Sequence, residues 1–424
     1  MRWSSGLDGE LHTQPLSIVS YSAEELMALG ARDQRSAFET VAAVIAPVDF
    51  QLQPTGAYRM RGFNAYVLHD GFQNFGSYGQ RDTLAGIERI DFIKGPGSSL
   101  NAGALGLPPG GAIDIHARRA GDRRQLSLLA GTGRDDERRY ELEADSGDLL
   151  PVVSVALSAA RGDADGFFDF SELGYRKLRP SLSLHGFGGR LTLFYEDSRR
   201  EQTDHPGLPT TGTLDRSRFS IPDSRSVADP DTPLSRSATR ARGLDVELPL
   251  GRWLSFSGGL RRVDSTIEQA TQYVSSNNPT FGSTWTRLSG TYTGNTREDQ
   301  GRARLTARLD SADYGRWTTW IGYGGEQGPD HVELYQGFAR SIDLVDPQYG
   351  QWREPLLPFS AADSHFRIRN FSAGLQWRYD DWINAFVAGT QTRGTVSNQQ
   401  TSITHQLIRD RFGDAALETL QPLL

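Results

Sequence analysis

The most constraining feature of this chain is an alternation of apolar and polar residues that begins near Arg124 and recurs over most of the remaining sequence. Leu126, Leu128 and Ala130 show it first, and each later stretch covers about 10 residues before a polar segment of unequal length. A period of two residues is that of a β-strand with one apolar face. A strand of this length crosses a lipid bilayer when it is tilted. The sequence therefore predicts a mainly β protein.

Composition excludes several other classes of protein. No run of about 18 apolar residues occurs, so no helix of the length that crosses a membrane is expected. The chain has 46 Gly and 20 Pro without a collagen period, which indicates many turns. It has no Cys, which excludes disulfide scaffolds and Cys-ligated metals, and its net charge of −7 argues against nucleic acid as a partner.

Eleven alternating stretches are found, and the connections between them alternate between short and long. A twelfth candidate, Trp285 to Tyr292, would place the short turn at 311–315 among the long loops, so we assign it to a loop. Aromatic side chains lie near the strand ends, as at a lipid–water boundary. A soluble sandwich, propeller or solenoid gives the same periodicity, so the alternation does not decide between a membrane barrel and a soluble β protein.

Residues 1–122 read differently, as a small α/β domain. Ser22 and Glu25 form a capping box that predicts a helix to about Gly30, and a second helix is predicted from Arg35 to Ala43. Short β-like runs are predicted at 16–21, 58–61, 90–93 and 112–116.

Four motifs follow one another in this domain: Arg61-Gly62-Phe63, Asp70-Gly71, the run 87–96 (IERIDFIKGP) and the run 110–115 (GGAIDI). In this order and spacing they resemble the plug domain of TonB-dependent outer-membrane receptors. The segment 14–21 (QPLSIVSY), followed by the helix at Ser22, is similar to the start of that plug. Within the family, the resemblance is best to the ferric-siderophore receptors.

The resemblance implies the fold. Residues 1–122 are expected to form an α/β plug, and residues 123–424 the first half of an antiparallel transmembrane β-barrel. Barrels of this family have about 22 strands, so eleven strands suggest a truncated receptor that ends in an extracellular loop.

The resemblance also implies a function: import of ferric siderophores across the bacterial outer membrane, energised by TonB and its inner-membrane complex. The expected partners are the ferric siderophore, TonB and outer-membrane lipid. Iron arrives already chelated, so no cofactor and no protein metal ligand is expected. No nucleophile elbow, phosphate loop or zinc-protease motif occurs, and an enzyme is not expected.

The family's plug loops predict the site residues. The apical loops should be 52–58 and 72–80, where rings and amides suit a large polar ligand. We therefore predict ligand contacts from Tyr78, Phe75, Gln73, Gln80 and Tyr58. Basic residues at the positions of Arg61 and Lys94 meet carboxylates of the barrel wall in this family, so the predicted lock between plug and barrel consists of Arg61, Glu88, Arg89 and Lys94.

Some features depart from the family pattern. The first ten residues lack the apolar core of a signal peptide, and no TonB box is recognisable, so either the protein stays inside the cell or its true start is missing. An open sheet of eleven strands has two unpaired edges, and we expect such a chain to misfold or aggregate alone. The open alternatives are a receptor for cobalamin, another metal chelate or an oligosaccharide, and a soluble β-rich binding or adhesion protein.

Overall fold

The computed structural model describes residues 17–45, 58–73, 83–95, 109–121, 124–150, 152–275, 282–311, 313–380 and 383–401. Two units follow one another along the chain, a small N-terminal domain and a large antiparallel sheet. Across these described ranges, none of the helices has the length and apolar character needed to cross a membrane.

The N-terminal domain contains two short helices and eight strands. The helices are α1 (Ala23–Ala28) and α2 (Gln34–Glu39). The strands are β1 (Ser17–Ser22), β2 (Val44–Ile45), β3 (Arg59–Met60), β4 (Phe63–Asn64), β5 (Tyr66–His69), β6 (Phe72–Gln73), β7 (Ile87–Lys94) and β8 (Gly111–Ala117).

The local sequence explains where both helices begin. Ser22 accepts a hydrogen bond from the backbone N–H of Glu25, and the Glu25 carboxylate accepts one from the N–H of Ser22, which confirms the predicted capping box. Asp33 caps α2 in the same way, so this helix begins one residue before the predicted start. It ends at Glu39 rather than near Ala43, because Ala43 has a left-handed backbone with φ of 67°.

One sheet organises this domain, with strand order β1-β7-β8-β5-β6. Strands β5 and β8 are parallel, and the other neighbours are antiparallel. Leu26 and Phe38 of the two helices pack on Ile90, Phe92 and further apolar residues of the central strands to form the core of the domain. The central strands β7 and β8 therefore carry most of the strand residues of this core.

The second unit is a sheet of eleven strands, each antiparallel to its neighbours in sequence. Its first strand starts seven residues after β8 ends. The strands are β9 (Arg124–Thr132), β10 (Arg138–Leu150), β11 (Val153–Asp165), β12 (Glu172–Gly186), β13 (Gly189–Gln202), β14 (Ser235–Pro249), β15 (Leu254–Val274), β16 (Thr284–Ser311), β17 (Gly315–Asp343), β18 (Leu357–Tyr379) and β19 (Ile383–Thr401).

Strands β9 and β19 are the two ends of this order, and within the described residues they do not pair with each other. The predicted fold class, an α/β domain followed by an incomplete antiparallel barrel, is therefore confirmed.

The two faces of the large sheet distinguish a membrane barrel from a soluble sandwich. The alternating apolar residues lie on the outer face and are exposed: Leu126 is 70% and Leu128 74% exposed, and Ile321, Phe371 and Val387 also face outward. Polar residues such as Ser154, Ser183 and Thr192 lie buried on the inner face. A soluble sandwich buries its apolar face, whereas a membrane barrel turns it towards lipid. The pattern here is that of the barrel.

The assignment of Trp285 to Tyr292 to a loop is wrong, because these residues belong to β16, which begins at Thr284. The count of eleven strands is nevertheless right, since the segment extends a strand that was already counted. The prediction allowed each strand only the length that crosses lipid. Strands β15 to β18 contain 21 to 29 residues, and their polar extensions pair with each other through backbone hydrogen bonds beyond the apolar band.

Candidate functional site

The inner face of the large sheet holds the N-terminal domain through a row of carboxylates on β10. Glu141, Glu143 and Asp145 alternate along this strand and therefore share one face. Each of them accepts a hydrogen bond of 2.8 Å from the N-terminal domain or the segment that follows it. The donors are the Thr83 hydroxyl and the backbone N–H groups of Gly86 and Gly121.

A second contact between the units is centred on Arg119, in the segment 118–121 that links them. One guanidinium nitrogen lies 3.4 Å from a carboxylate oxygen of Asp245 on β14, and the other lies 3.6 Å from Glu247. Asp70, which follows β5, is 3.9 Å from the same guanidinium. Burial alone raises the pKa of Asp70, but Arg119 and further basic groups outweigh it and lower that pKa to about 2. Arg119 therefore bridges buried carboxylates of both units.

Strands β15 and β16 complete the contact between the units. Arg261 donates to the backbone oxygen of His69, and Gln300 donates to the backbone oxygen of Gln73. The Arg302 guanidinium lies 4.4 Å from the centre of the Phe72 ring. These three wall residues fix β5 and β6 of the N-terminal domain against the sheet.

A buried charge network crosses the centre of the N-terminal sheet. The His116 ring is 3.0 Å from Asp91 and 3.5 Å from Asp114, and Asp91 also accepts from Ser20 and Arg89. Burial disfavours the charged form of His116, but the two carboxylates outweigh it and raise the pKa of this histidine. The network stabilises the protonated imidazole within the sheet.

The four residues of the predicted lock make contacts within the N-terminal domain. Arg61 donates to the Ser17 hydroxyl, and Lys94 donates to the backbone oxygen of Ala42, so both bonds stay within the N-terminal domain. Arg89 is buried beside Asp91, and the half-exposed Glu88 lies 3.9 Å from Arg89. These positions lie on or near β1 and β7, at the side of the N-terminal sheet away from β5 and β6. The contacts seen with the eleven strands use other residues.

A cavity of about 620 Å³ opens on the inner face of the large sheet, near the ends of β15, β16 and β17 that carry the long connections. The segment 204–210, which follows β13, closes one side of it. Gln269 pairs with Tyr292 across β15 and β16, whereas Arg261 pairs with Gln300 at the level of the N-terminal domain. Eight residues of β15 separate the two levels, which corresponds to about 26 Å along the strand.

The cavity combines aromatic walls with polar groups that lack partners. Tyr273, Trp285 and Tyr292 supply the rings, together with Leu208 and other apolar residues. Among the described residues, none makes a hydrogen bond with Gln269 Oε1, Thr271 Oγ1 or Trp285 Nε1, although all three atoms are buried. Buried polar atoms without a partner are costly, so such atoms mark a place where a ligand or water supplies the bond. The volume and the mixed lining are typical of a site for a small organic molecule.

The predicted ligand residues lie elsewhere or are not described. Tyr78, Phe75 and Gln80 lie outside the described residues. Gln73, the last residue of β6, is buried, and its backbone oxygen accepts a hydrogen bond from Gln300 of the wall. The Tyr58 ring is partly buried and packs edge-on against Phe38 at 4.9 Å, beside the core of the N-terminal domain.

The sequence prediction missed most of the cavity because it assigned Trp285 to Tyr292 to a loop. Gln269, Thr271 and Tyr273 in fact continue the alternation of β15 onto the inner face. The alternation that indicates a strand is therefore present in the sequence, but most of the residues that carry it are polar, so it is less visible than in the apolar stretches.

Comparison with known proteins identifies the N-terminal domain. Residues 10–106 match the family described as the TonB-dependent Receptor Plug Domain. A search of curated proteins found no match to the chain.

Solved structures of receptors share the fold of the whole chain. The P. aeruginosa FpvA, solved in complex with iron and a pyoverdine, has a TM-score of 0.81 and 17% identity, over 94% of this chain and 55% of that one. BauA, the ferric preacinetobactin receptor of Acinetobacter baumannii, has a TM-score of 0.74 and 12% identity, over 92% and 59%. Fiu, the ferric-catecholate import receptor of E. coli K12, has a TM-score of 0.68 and 16% identity, over 91% and 66%.

The chain thus spans 55% to 66% of the length of these three receptors. The matched family and folds are those of transport receptors and not of enzymes. Residues 10–106 thus match a TonB-dependent receptor plug domain, and the strands that follow are similar in fold to part of the barrel of ferric-siderophore receptors.

Proposed function

We propose that this chain belongs to an outer-membrane receptor that imports ferric siderophores with energy delivered by TonB. The observation that carries the proposal is the cavity on the inner face of β15–β17, which lies about 26 Å along the strands from the plug contacts of Arg261 and Gln300. A ligand bound there lies inside the wall and above the plug, on the path that a transported molecule must follow. The iron belongs to this ligand, and the protein supplies no metal-binding residues in this proposal.

The outer face of the sheet supports a position in the outer membrane. Exposed apolar residues form a band on the face of the sheet that points away from the plug. The rings of Trp317 and Trp377 stack with their centres 5.7 Å apart, near the ends of β17 and β18 that carry tight turns. Aromatic rings at strand ends are typical of a lipid–water boundary. The partners proposed are therefore a ferric siderophore, outer-membrane lipid and TonB.

Ligand binding is tested with the purified chain in detergent micelles, through quenching of tryptophan fluorescence by ferric siderophores. We expect saturable quenching that cobalamin and oligosaccharides do not displace. Trp285→Phe should reduce the quenching, because this ring lines the cavity. The matched control is Trp253→Phe, at an exposed ring in the short connection between β14 and β15, which should leave binding unchanged.

Transport is tested in a bacterial strain that lacks its own siderophore receptors and that produces the whole receptor to which this chain belongs, because an open sheet of eleven strands is expected to misfold alone. We expect uptake of radioactive iron from the bound siderophore only when TonB is present. Binding of cobalamin or an oligosaccharide in place of any ferric siderophore would show that the proposed substrate is wrong. A chain that stays monodisperse in water without detergent would contradict the membrane location.

A further inference from the structure

The charge of the cavity lining narrows the class of ligand, on the basis of the proposed function. Seventeen described residues line the cavity, and of these only Asp204 carries a charge. Its carboxylate accepts a hydrogen bond from the Gln269 amide. Among the described residues that line the cavity there is no Arg, Lys or His, so they offer no cation to an anionic ligand.

The wall between the cavity and the plug is acidic as well. Thr296 donates to Asp330 at 2.6 Å, and Gln300 donates to Glu298 at 2.9 Å. Glu326 pairs with Gln300 across β16 and β17 and is buried. Thr296, Glu298 and Gln300 alternate along β16 and share the inner face with the cavity residues Gly290 and Tyr292. A ligand that moves from the cavity to the plug along these strands therefore passes the carboxylates of Asp330 and Glu298, whereas burial and the adjacent Glu298 favour the neutral form of Glu326.

Three basic residues of the inner face lie outside the lining of the cavity, and other groups already bond them. Arg179 pairs with Glu196 at 3.0 Å, and Arg261 donates to His69 of the plug. Arg200 is the nearest to the cavity in sequence, four residues before Asp204, and it donates to Gln202. All three are buried. They neutralise the surroundings of the plug and do not line the cavity.

The hydrogen-bonding groups of the cavity indicate what the ligand presents. The Trp285 indole N–H needs an acceptor, Gln269 Oε1 needs a donor, and the Thr271 hydroxyl takes either. Amide and hydroxamate groups carry carbonyl acceptors, and peptide backbones add N–H donors. Aromatic rings at Tyr273 and Tyr292 provide apolar area for the rest of the molecule.

We infer that the cavity binds a neutral or cationic ferric complex of the hydroxamate or peptide type and discriminates against catecholates. A catecholate carries two negative charges and a hydroxamate one. An iron(III) ion with three catecholates is therefore strongly anionic, whereas the complex with three hydroxamates is neutral. Like charges held close together in a site of low polarity repel strongly, which makes the acidic wall a barrier to the anionic complex.

The test compares two probes on the same preparation of the whole chain: ferrioxamine B, a cationic tris-hydroxamate complex, and ferric enterobactin, an anionic tris-catecholate complex. We expect the hydroxamate to bind at least about tenfold more tightly at low salt. The difference should shrink as salt is raised, because screening weakens the repulsion.

Thr271→Val tests whether the cavity is the place of binding. The Thr271 hydroxyl oxygen has no hydrogen-bond partner among the described residues, so its loss should leave the unfolding temperature unchanged. It should weaken hydroxamate binding about three- to tenfold. Thr266→Val, at an exposed position on the outer face of β15, is the matched control and should change neither quantity.

The outcomes separate this inference from the proposed function. Equal or tighter binding of the catecholate complex would overturn the inference and leave siderophore transport in place. Hydroxamate binding that Thr271→Val does not affect would overturn the location of the site. Failure of both ferric complexes to bind would overturn the inference and the proposed function together.

Discussion

The contact at Arg119 makes a quantitative prediction about how the plug is held. In Arg119→Met the side chain keeps much of its volume but loses its charge, which leaves Asp70, Asp245 and Glu247 without their shared cation. Removing one partner of a buried pair costs about 3–5 kcal/mol. The Arg119 side chain is 21% exposed, and Asp245 keeps Arg302 at 3.8 Å, so we expect about 2–3 kcal/mol here. The lowered pKa of Asp70 has the direction expected for a carboxylate stabilised by Arg119.

Hydrogen exchange of the plug amides measures this effect without unfolding the barrel. The amide of Ala117 donates to Asp70, so it reports directly on the contact. A loss of about 2–3 kcal/mol should speed its exchange about 30- to 150-fold, since each 1.4 kcal/mol is a factor of ten. Arg134→Met is the control, because this side chain is 94% exposed beside Asp135 and should have no effect.

A double variant tests whether the cause is uncompensated charge. Adding Asp245→Asn to Arg119→Met removes one carboxylate that has lost its partner, so part of the protection should return. Exchange of the Ala117 amide within about twofold of the wild-type rate in Arg119→Met would refute the assignment of the lock to Arg119. Faster exchange that Asp245→Asn does not reduce would refute the electrostatic reason.

Three further predictions concern the plug. The pKa of His116 is raised in the folded plug, so its protonation stabilises the plug fully below the unfolded pKa of about 6.5, and this stabilisation is lost as pH rises through the folded pKa. Hydrogen exchange of the plug amides, corrected for the intrinsic exchange rate, should show this loss of protection. His116→Gln should flatten the dependence of protection on pH. Gly111→Ala should abolish the protease resistance of the plug, because φ at Gly111 is +99° and the new Cβ collides with the Ile93 carbonyl oxygen. Gly30→Ala is the comparison, at φ +94° with open space around the new Cβ, and should lower the free energy of unfolding by only about 1–2 kcal/mol. Ser22→Ala should destabilise α1 by about 1 kcal/mol, measured by the same exchange method, and an unchanged rate would contradict the role of the capping box.

The outer face of the sheet and the first helix were predictable because each rests on a local pattern. Alternation of apolar residues at Leu126 and Leu128 needs no knowledge of partners, and the Ser22–Glu25 capping box spans one helical turn. The strand extensions were not predictable in this way. Near Trp285 both faces mix polar and apolar residues, so backbone pairing with neighbouring strands decides the structure there.

The lock and the cavity depend on residues far apart in sequence. Arg119 meets Asp245 across more than one hundred residues, and Gln300 meets Gln73 across more than two hundred. A charge or an amide on a strand has many possible partners, and only the register of the sheet selects one. The family pattern directed attention to Arg61 and Lys94, whose bonds here stay within the plug.

The length of β16 and β17 sets the height of the cavity. These strands contain 28 and 29 residues, or about 95 Å of extended chain, whereas about 10 residues cross a bilayer. The length of the paired extensions therefore fixes how far the binding groups lie above the lipid. Removing two residues from each paired strand lowers the cavity by one step and keeps every side chain on its face. Removing one residue turns the cavity lining outward, so the height of the site can change only in steps of two residues.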